Sequence, residues 1–324
     1  MDILLKQKNT IFDFTINYHN KLFLIGSCFS ANIADKLNRH YFKILSNPNG
    51  IYYHPYSMMR YLTRLINKDP ISSSHILERD GLFFSWLHHS SIFDTDKKKF
   101  IKNLQAQQDA DTSYLMNTDY LFLTFGSAYY YQLIASDVIV DNCHKMPSAN
   151  FKKILYTSDI MIADYMQLIK LLRDVNPRLK IILTISPVRY IKDGLVENNW
   201  SKAQLIHATH TLVQQFDHVY YYDAYETLID VLRDYRYYDR DMVHPNAVAI
   251  DYIWEKMQIE LFDKSTLTLI NTVNQLMMRI AHRPLYTSSQ SYRLFVIETK
   301  SQIEKLISDH PYLNAIEFDE YLKL

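Results

Sequence analysis

Short runs of apolar residues alternate with helical patterns along most of this 324-residue chain, and that alternation limits the fold more than any other feature. Residues 21–25, 41–45, 120–125, 180–185 and 219–222 are too short for helices. The first of them stops at Gly26-Ser27 after an unbroken Leu22-Phe23-Leu24-Ile25, the character of a strand buried on both faces of a parallel sheet. Between and after the runs, apolar residues recur at steps of three and four. Phe29, Ile33, Ala34 and Leu37 share one face, as do Met58, Met59, Leu62 and Ile66, and later Ile250, Met257 and Leu261. Further helices are predicted over residues 158–174, 201–216 and 224–235, with a polar loop around Asn198-Asn199 before the second. Strand and helix at this spacing predict right-handed βαβ units and a three-layer α/β/α sandwich over residues 1–263.

Beyond residue 263 the alternation ends. Two helical patterns, over residues 267–280 and 293–308, make residues 264–324 a helical extension that packs on the domain or on a second copy of the chain, as in a homo-oligomer. Lys plus Arg equals Asp plus Glu at 35 each, which disfavours nucleic acid and anionic membrane as partners. The amino terminus lacks the long apolar core of a signal peptide, and no stretch approaches the roughly eighteen apolar residues of a membrane span, so a cytoplasmic location is expected. Cys28 and Cys143 cannot form a disulfide framework, and no Cys/His group has zinc spacing; the adjacent His88-His89 would point in different directions on a strand. No metal or organic cofactor is expected.

Candidate chemistry begins at Ser27. It lies between the carboxyl end of a strand and the amino end of a helix, where unpaired N–H groups and the helix dipole favour an oxyanion. Serine there is also an ordinary helix cap, so the reading needs a base elsewhere. Asp241 and His244 provide one: three residues apart, the carboxylate can accept imidazole Nδ1–H and leave Nε2 free to take a serine proton. Pro245 keeps His244 out of the helix that follows. Glycine is scarce, five where an average composition would give roughly twenty, so Gly26 and Gly126 at strand ends and Gly50 after Asn47-Pro48-Asn49 carry information.

These residues resemble a known family. Gly26-Ser27-Cys28-Phe29-Ser30 is similar to the signature of the GSCFA-domain proteins, with Ser30 where the family has alanine. Asn47-Pro48-Asn49-Gly50, Phe125-Gly126-Ser127-Ala128, Asn142-Cys143-His144-Lys145, Ser186-Pro187-Val188-Arg189 and Asp241-Met242-Val243-His244-Pro245 resemble further blocks of it in order. The resemblance spans about residues 15–262 and implies an SGNH or GDSL-type hydrolase with a flavodoxin-like sandwich. It implies Ser27 as nucleophile and oxyanion donor, Asp241 and His244 as its partners, and Gly50 in the oxyanion hole. The third block departs, with Ala128 where such enzymes place asparagine. Ser127, Asn142, His144 or His89, beside Gly126, would then supply the missing support; one oxyanion donor is worth about 3 to 4 kcal/mol.

The expected function is a serine ester hydrolase working through an acyl-enzyme and removing a short acyl group, such as acetyl, from a saccharide or related small substrate. An acyltransferase with the same site and a silent binding or scaffold protein are the rivals. Cys28 shares the helix start that would lower a thiol pKa, but is expected to be a packed small hydrophobe.

Overall fold

The five apolar runs form a single parallel sheet in the computed structural model, which describes residue 5, residues 7–313 and residues 316–323. In chain order the elements are β1 (Lys21–Gly26), α1 (Cys28–Arg39), β2 (Lys43–Ser46), α2 (Pro55–Asn67), β3 (Ile76–Arg79), β4 (Leu82–Ser85), α3 (Lys97–Leu115) and β5 (Tyr120–Phe125). There follow β6 (Tyr129–Leu133), β7 (Ile139–Val140), β8 (Phe151–Leu155), α4 (Ser158–Val175), β9 (Lys180–Ile185), α5 (Leu195–Gln215), β10 (Val219–Tyr222), the short α6 (Ala224–Glu226) and α7 (Ala247–Leu261). Helices α8 (Lys264–Ile280), α9 (Gln290–Asp309) and α10 (Ile316–Lys323) close the chain.

The sheet order is β10-β9-β5-β1-β2, every pair parallel. The chain goes from β1 outward to β2 and then back across to β5, so the order reverses between β1 and β5. In open α/β sheets, ligands bind at the carboxyl ends of the strands at such a reversal. The register sets Gly26 opposite Thr124, and Thr124 opposite Thr184, so Ser27, Gly126 and Ser186 emerge at one rim.

Alternation along β1 divides the core. Leu22 and Leu24 pack with Phe29, Leu37, Trp254 and Met257 on one face; Phe23 and Ile25 pack with Met58, Leu62, Tyr165 and Leu205 on the other. The carboxyl-terminal helices join the first of these layers through Leu269, Ile270 and Val273 of α8, Ile303 and Leu306 of α9, and Phe318 of α10. No helix among the described residues is long and apolar enough to cross a membrane.

Three expectations change. Helix α5 starts at Leu195, not near residue 201, because Gly194 caps it and Asn198 is buried with its Oδ1 accepting Tyr190 N–H at 2.8 Å. After β10 the helix is brief: α6 runs into a π turn at Thr227–Val231 and stops. The segment between α2 and α4 also carries more strand than its polar sequence suggests, in a hairpin of β3 with β4 and an antiparallel sheet ordered β7-β6-β8.

Candidate active site

Ser27 occupies the N-cap position of α1 with extended backbone, yet its hydroxyl caps no amide. The residue is 2% exposed and its Oγ has no hydrogen-bond partner. A buried hydroxyl without a partner costs stability, so plain capping does not account for it. The first helical bond is Ala31 N–H to Ser27 O, at 3.3 Å, which leaves the amides of the opening turn without intrahelical acceptors.

Asp241 and His244 come from the loop before α7. Asp241 Oδ2 accepts His244 Nδ1–H at 2.6 Å, and Oδ1 accepts the amides of Val243 and His244, each at 3.0 Å. That arrangement assigns the Nδ1–H tautomer and leaves Nε2 bare. Met242 takes φ of 62° to let one carboxylate oxygen meet both amides. The amides of His244 and Val243, then the imidazole, hold Asp241 down at about 2, so it is a carboxylate through neutral and mildly acid solution. The loop is tied to its own approach: Asp239 N–H donates to His244 O, and Asn246 N–H to Tyr237 O.

Ser27 and His244 line the same cleft, about 240 Å³ in volume, with Cys28, Tyr53, Gly126 and Ser186. The link from His244 Nε2 to Ser27 Oγ is open in this structure, as the unpartnered hydroxyl shows. Gly126 fits only without a side chain, since a Cβ there would lie 2.7 Å from Tyr53 O and 3.4 Å from Ser27 Cβ.

The residues offered for oxyanion support are distributed differently. Gly50 N–H donates to Asn47 O at 2.7 Å, closing a turn at φ of 86°, and His89 packs directly on its Cα. The amides of Gly126 and Ser127 both donate to Tyr53 O, at 2.9 and 2.7 Å. These three N–H groups already have acceptors, and so does the Ser27 amide, also expected in the oxyanion hole, which reaches Thr124 O at 3.4 Å; the amides left without intrahelical acceptors are those of the first turn of α1. Ser127, Asn142 and His144 line a second cavity, about 500 Å³, while His89 bonds Ser91. His144 is buried with Nε2 on Ser85 O, and Asn142 Oδ1 accepts the His144 amide. The two cavities share Tyr53, Tyr190 and Lys192.

Cys28 also borders the cleft, but burial pushes its thiol up against the opposing pull of the Phe29 and Cys28 amides and Lys202. A thiol held protonated is a poor rival to Ser27.

Lys202 lies outside every sequence-based expectation. It is 2% exposed, and its Nζ donates to Gly126 O at 2.7 Å and Ser186 O at 2.6 Å, clamping the ends of β5 and β9 under the cleft. Burial holds its ammonium down to about 7. Its signal in the sequence is its helical phase: Lys202 falls on the same face of α5 as Leu205, Thr209 and Leu212, a lysine in a core stripe.

Among solved structures, the chain resembles a carbohydrate esterase family 3 protein from Talaromyces cellulolyticus at 13% identity and TM-score 0.33, over 79% of this chain and 99% of that one. It also resembles an acetyl esterase mutant with an acetate ion at 14% identity and TM-score 0.34, over 78% and 99%. A third is an acetyl xylan esterase from the rumen bacterium Butyrivibrio proteoclasticus at 8% identity and TM-score 0.37, over 75% and 64%. No curated protein matches the sequence. The model of the GSCFA family matches residues 21–257, and that of the GSCFA domain protein C-terminal domain matches residues 273–322. With the rim that carries Ser27 and His244 inside the first of those matches, this chain belongs to the GSCFA family.

Proposed function

We propose that this protein is a serine ester hydrolase of the SGNH type, acting through an acyl-enzyme on Ser27. The observation that carries the reading is the meeting of an unpartnered Ser27 hydroxyl with an Asp241-oriented His244 in one cleft, although they come from opposite ends of the matched domain. In the reaction Ser27 Oγ attacks the ester carbonyl carbon while His244 Nε2 takes its proton. The oxyanion forms against the amides of the first turn of α1, where the helix dipole adds its field. Collapse expels the alcohol, which recovers the proton from His244. Water then attacks the acyl-serine with His244 again as base, releasing the carboxylic acid and free Ser27.

A short acyl group on a saccharide suits the two-chamber shape. The smaller cleft borders Ser27, and the larger cavity beside it carries Tyr53, Tyr129, Tyr131 and Tyr190, rings that suit the faces of sugars. The test is hydrolysis of a short aryl acetate by wild type, Ser27→Ala and Cys28→Ala, with fluorophosphonate labelling of each. Activity and labelling are expected in the wild type and the Cys28 variant and in neither form of readout for Ser27→Ala. Equal activity in the Ser27 variant would sink the reading.

A further inference from the structure

The charged side chains that line the cleft itself carry one sign. Its lining includes Arg189 and Lys192 and no carboxylate. Arg189 is half-buried, and among the described residues neither it nor Lys192 makes a hydrogen bond or an ion pair. Nearby carboxylates are engaged elsewhere: Asp241 with His244 and two amides, Asp193 with Lys153 at 2.7 Å, and Glu226 with Tyr221. A guanidinium withdrawn in part from water, with no anion inside the protein to meet it, is a binding site for an anion brought from outside. Arg189 is three residues beyond Ser186 at the end of β9, so it stands beside the reacting rim and not at a remote surface.

We infer that the natural substrate is an acidic ester, whose carboxylate or phosphate group is bound by Arg189 with Lys192 at the rim while its ester carbonyl faces Ser27. This deepens the hydrolase reading and rests on it for the ester half of the substrate only. Arg189 is then a specificity-determining residue: a planar fork of donors suits a carboxylate or phosphate face, and lysine in its place keeps the charge but not the two-point fit.

Three aryl acetates with the ester on the same ring position test it: para-acetoxybenzoate, para-acetoxyphenyl phosphate and the neutral methyl para-acetoxybenzoate. Wild type is expected to favour one or both anions over the neutral ester in kcat/KM by about tenfold or more, the size of one charge-assisted contact. The two anionic arms decide between carboxylate and phosphate. In Arg189→Gln that ratio should fall to near one, and in Arg189→Lys to an intermediate value; because it is a ratio within one protein preparation, a partly unfolded variant does not distort it. An unchanged ratio in Arg189→Gln, or no preference in wild type, overturns the inference. Calorimetry of Ser27→Ala protein with para-hydroxybenzoate against its methyl ester reads the anion site without turnover. Binding of the acid there that disappears on adding Arg189→Gln supports the inference even if no acetate is hydrolysed, in which case the hydrolase reading alone has failed.

Discussion

Two groups of serine, histidine and aspartate sit in this molecule, and they use the same side chains to opposite ends. At the rim, Asp241 accepts from His244 Nδ1, which leaves Nε2 bare in a residue that lines the same cleft as Ser27. In the interior, His54 Nδ1 accepts the Ser57 amide at 3.2 Å as the cap of α2, so its proton stands on Nε2, 3.3 Å from Ser57 Oγ. Ser57 in turn donates its own proton to Asp141. The imidazole there offers a proton where catalysis needs a lone pair, and the hydroxyl is already committed to the carboxylate. Burial separates the two imidazoles, though not the two serines: His54 is 4% exposed where the His244 side chain is 42%, and loss of water holds the His54 imidazolium down to about 3, with Arg60 adding to the effect. Residue types do not define a triad; the direction of each hydrogen bond does.

The largest expected effect breaks that comparison outright. Ser27→Ala and His244→Ala should each lower kcat for a short aryl acetate by about a thousandfold or more, whereas Ser57→Ala should stay within about threefold of wild type. Loss of turnover in Ser57→Ala, measured on protein shown to be folded by circular dichroism, would mean that the interior group is the working one.

The reach of the sequence follows the same division. Residues 22–25, 121–123 and 181–183 are apolar on both faces because the sheet is covered on both sides, and such runs announce themselves; the rim then follows from where each strand stops. Asp241 and His244 are three residues apart, so their bond is a local matter that spacing can express. What stayed hidden is decided by contacts between distant segments. The amides of Gly126 and Ser127 meet Tyr53 O through a loop closure that carries no periodic signal. Half-buried strands such as Tyr129–Leu133 and Ile76–Arg79 lack the apolar run that marks a central strand. Lys202 carries little signal of its own, because lysine side chains are almost always solvent-facing and only its helical phase places this one in the core.

Lys202 sharpens the comparison by placing an ionisable group directly beneath the open site. Its ammonium is held down to about 7, against an ordinary value near 10.4 in the unfolded chain. Between those values the unfolded state binds a proton that the folded state lacks, so stability should rise with pH from about 7 upward and be lowest below it. The readable window closes at about pH 9, where thiols and phenols begin to ionise in the unfolded chain, Cys28 and several tyrosines having folded values pushed up by burial. Subtracting the urea stability of Lys202→Met across pH 6.5 to 9, about the range over which the lysine titrates, isolates it. A difference that grows with pH by roughly 1 kcal/mol or more is expected; a flat difference would show that the ammonium stays charged in the fold.

Ser57 gives the next effect. Removing its hydroxyl leaves Asp141 Oδ1 without this donor while Oδ2 already has no partner, in a carboxyl whose pKa burial pushes up against Arg60, Arg64 and Ser57. Ser57→Ala should therefore lose about 1–3 kcal/mol in urea unfolding. An unchanged midpoint would show that water replaces the hydroxyl and that the interior group is less dry than its burial implies.

The smallest effect concerns what holds the catalytic loop still. Asn246 does two things at once: Oδ1 caps α7 by accepting Ala249 N–H at 3.2 Å, and Nδ2 donates to Arg236 O at 2.7 Å across the loop that carries Asp241 and His244. The cap belongs to the helix, the strap to the site, and substitutions can separate them. Asn246→Ser keeps an oxygen for the cap but loses the strap, whereas Asn246→Ala loses both. Asn246→Ala should cost about 1 kcal/mol of stability, much of it recovered in Asn246→Ser. Turnover should fall by about three- to tenfold in both, because an imidazole two residues from a loosened strap spends less time aligned with Ser27. A serine variant with wild-type kcat would show that His244 is placed by Asp241 and the two loop amides alone, and that the rim site needs no support from the strand-like crossing of Tyr238 with Pro245 behind it.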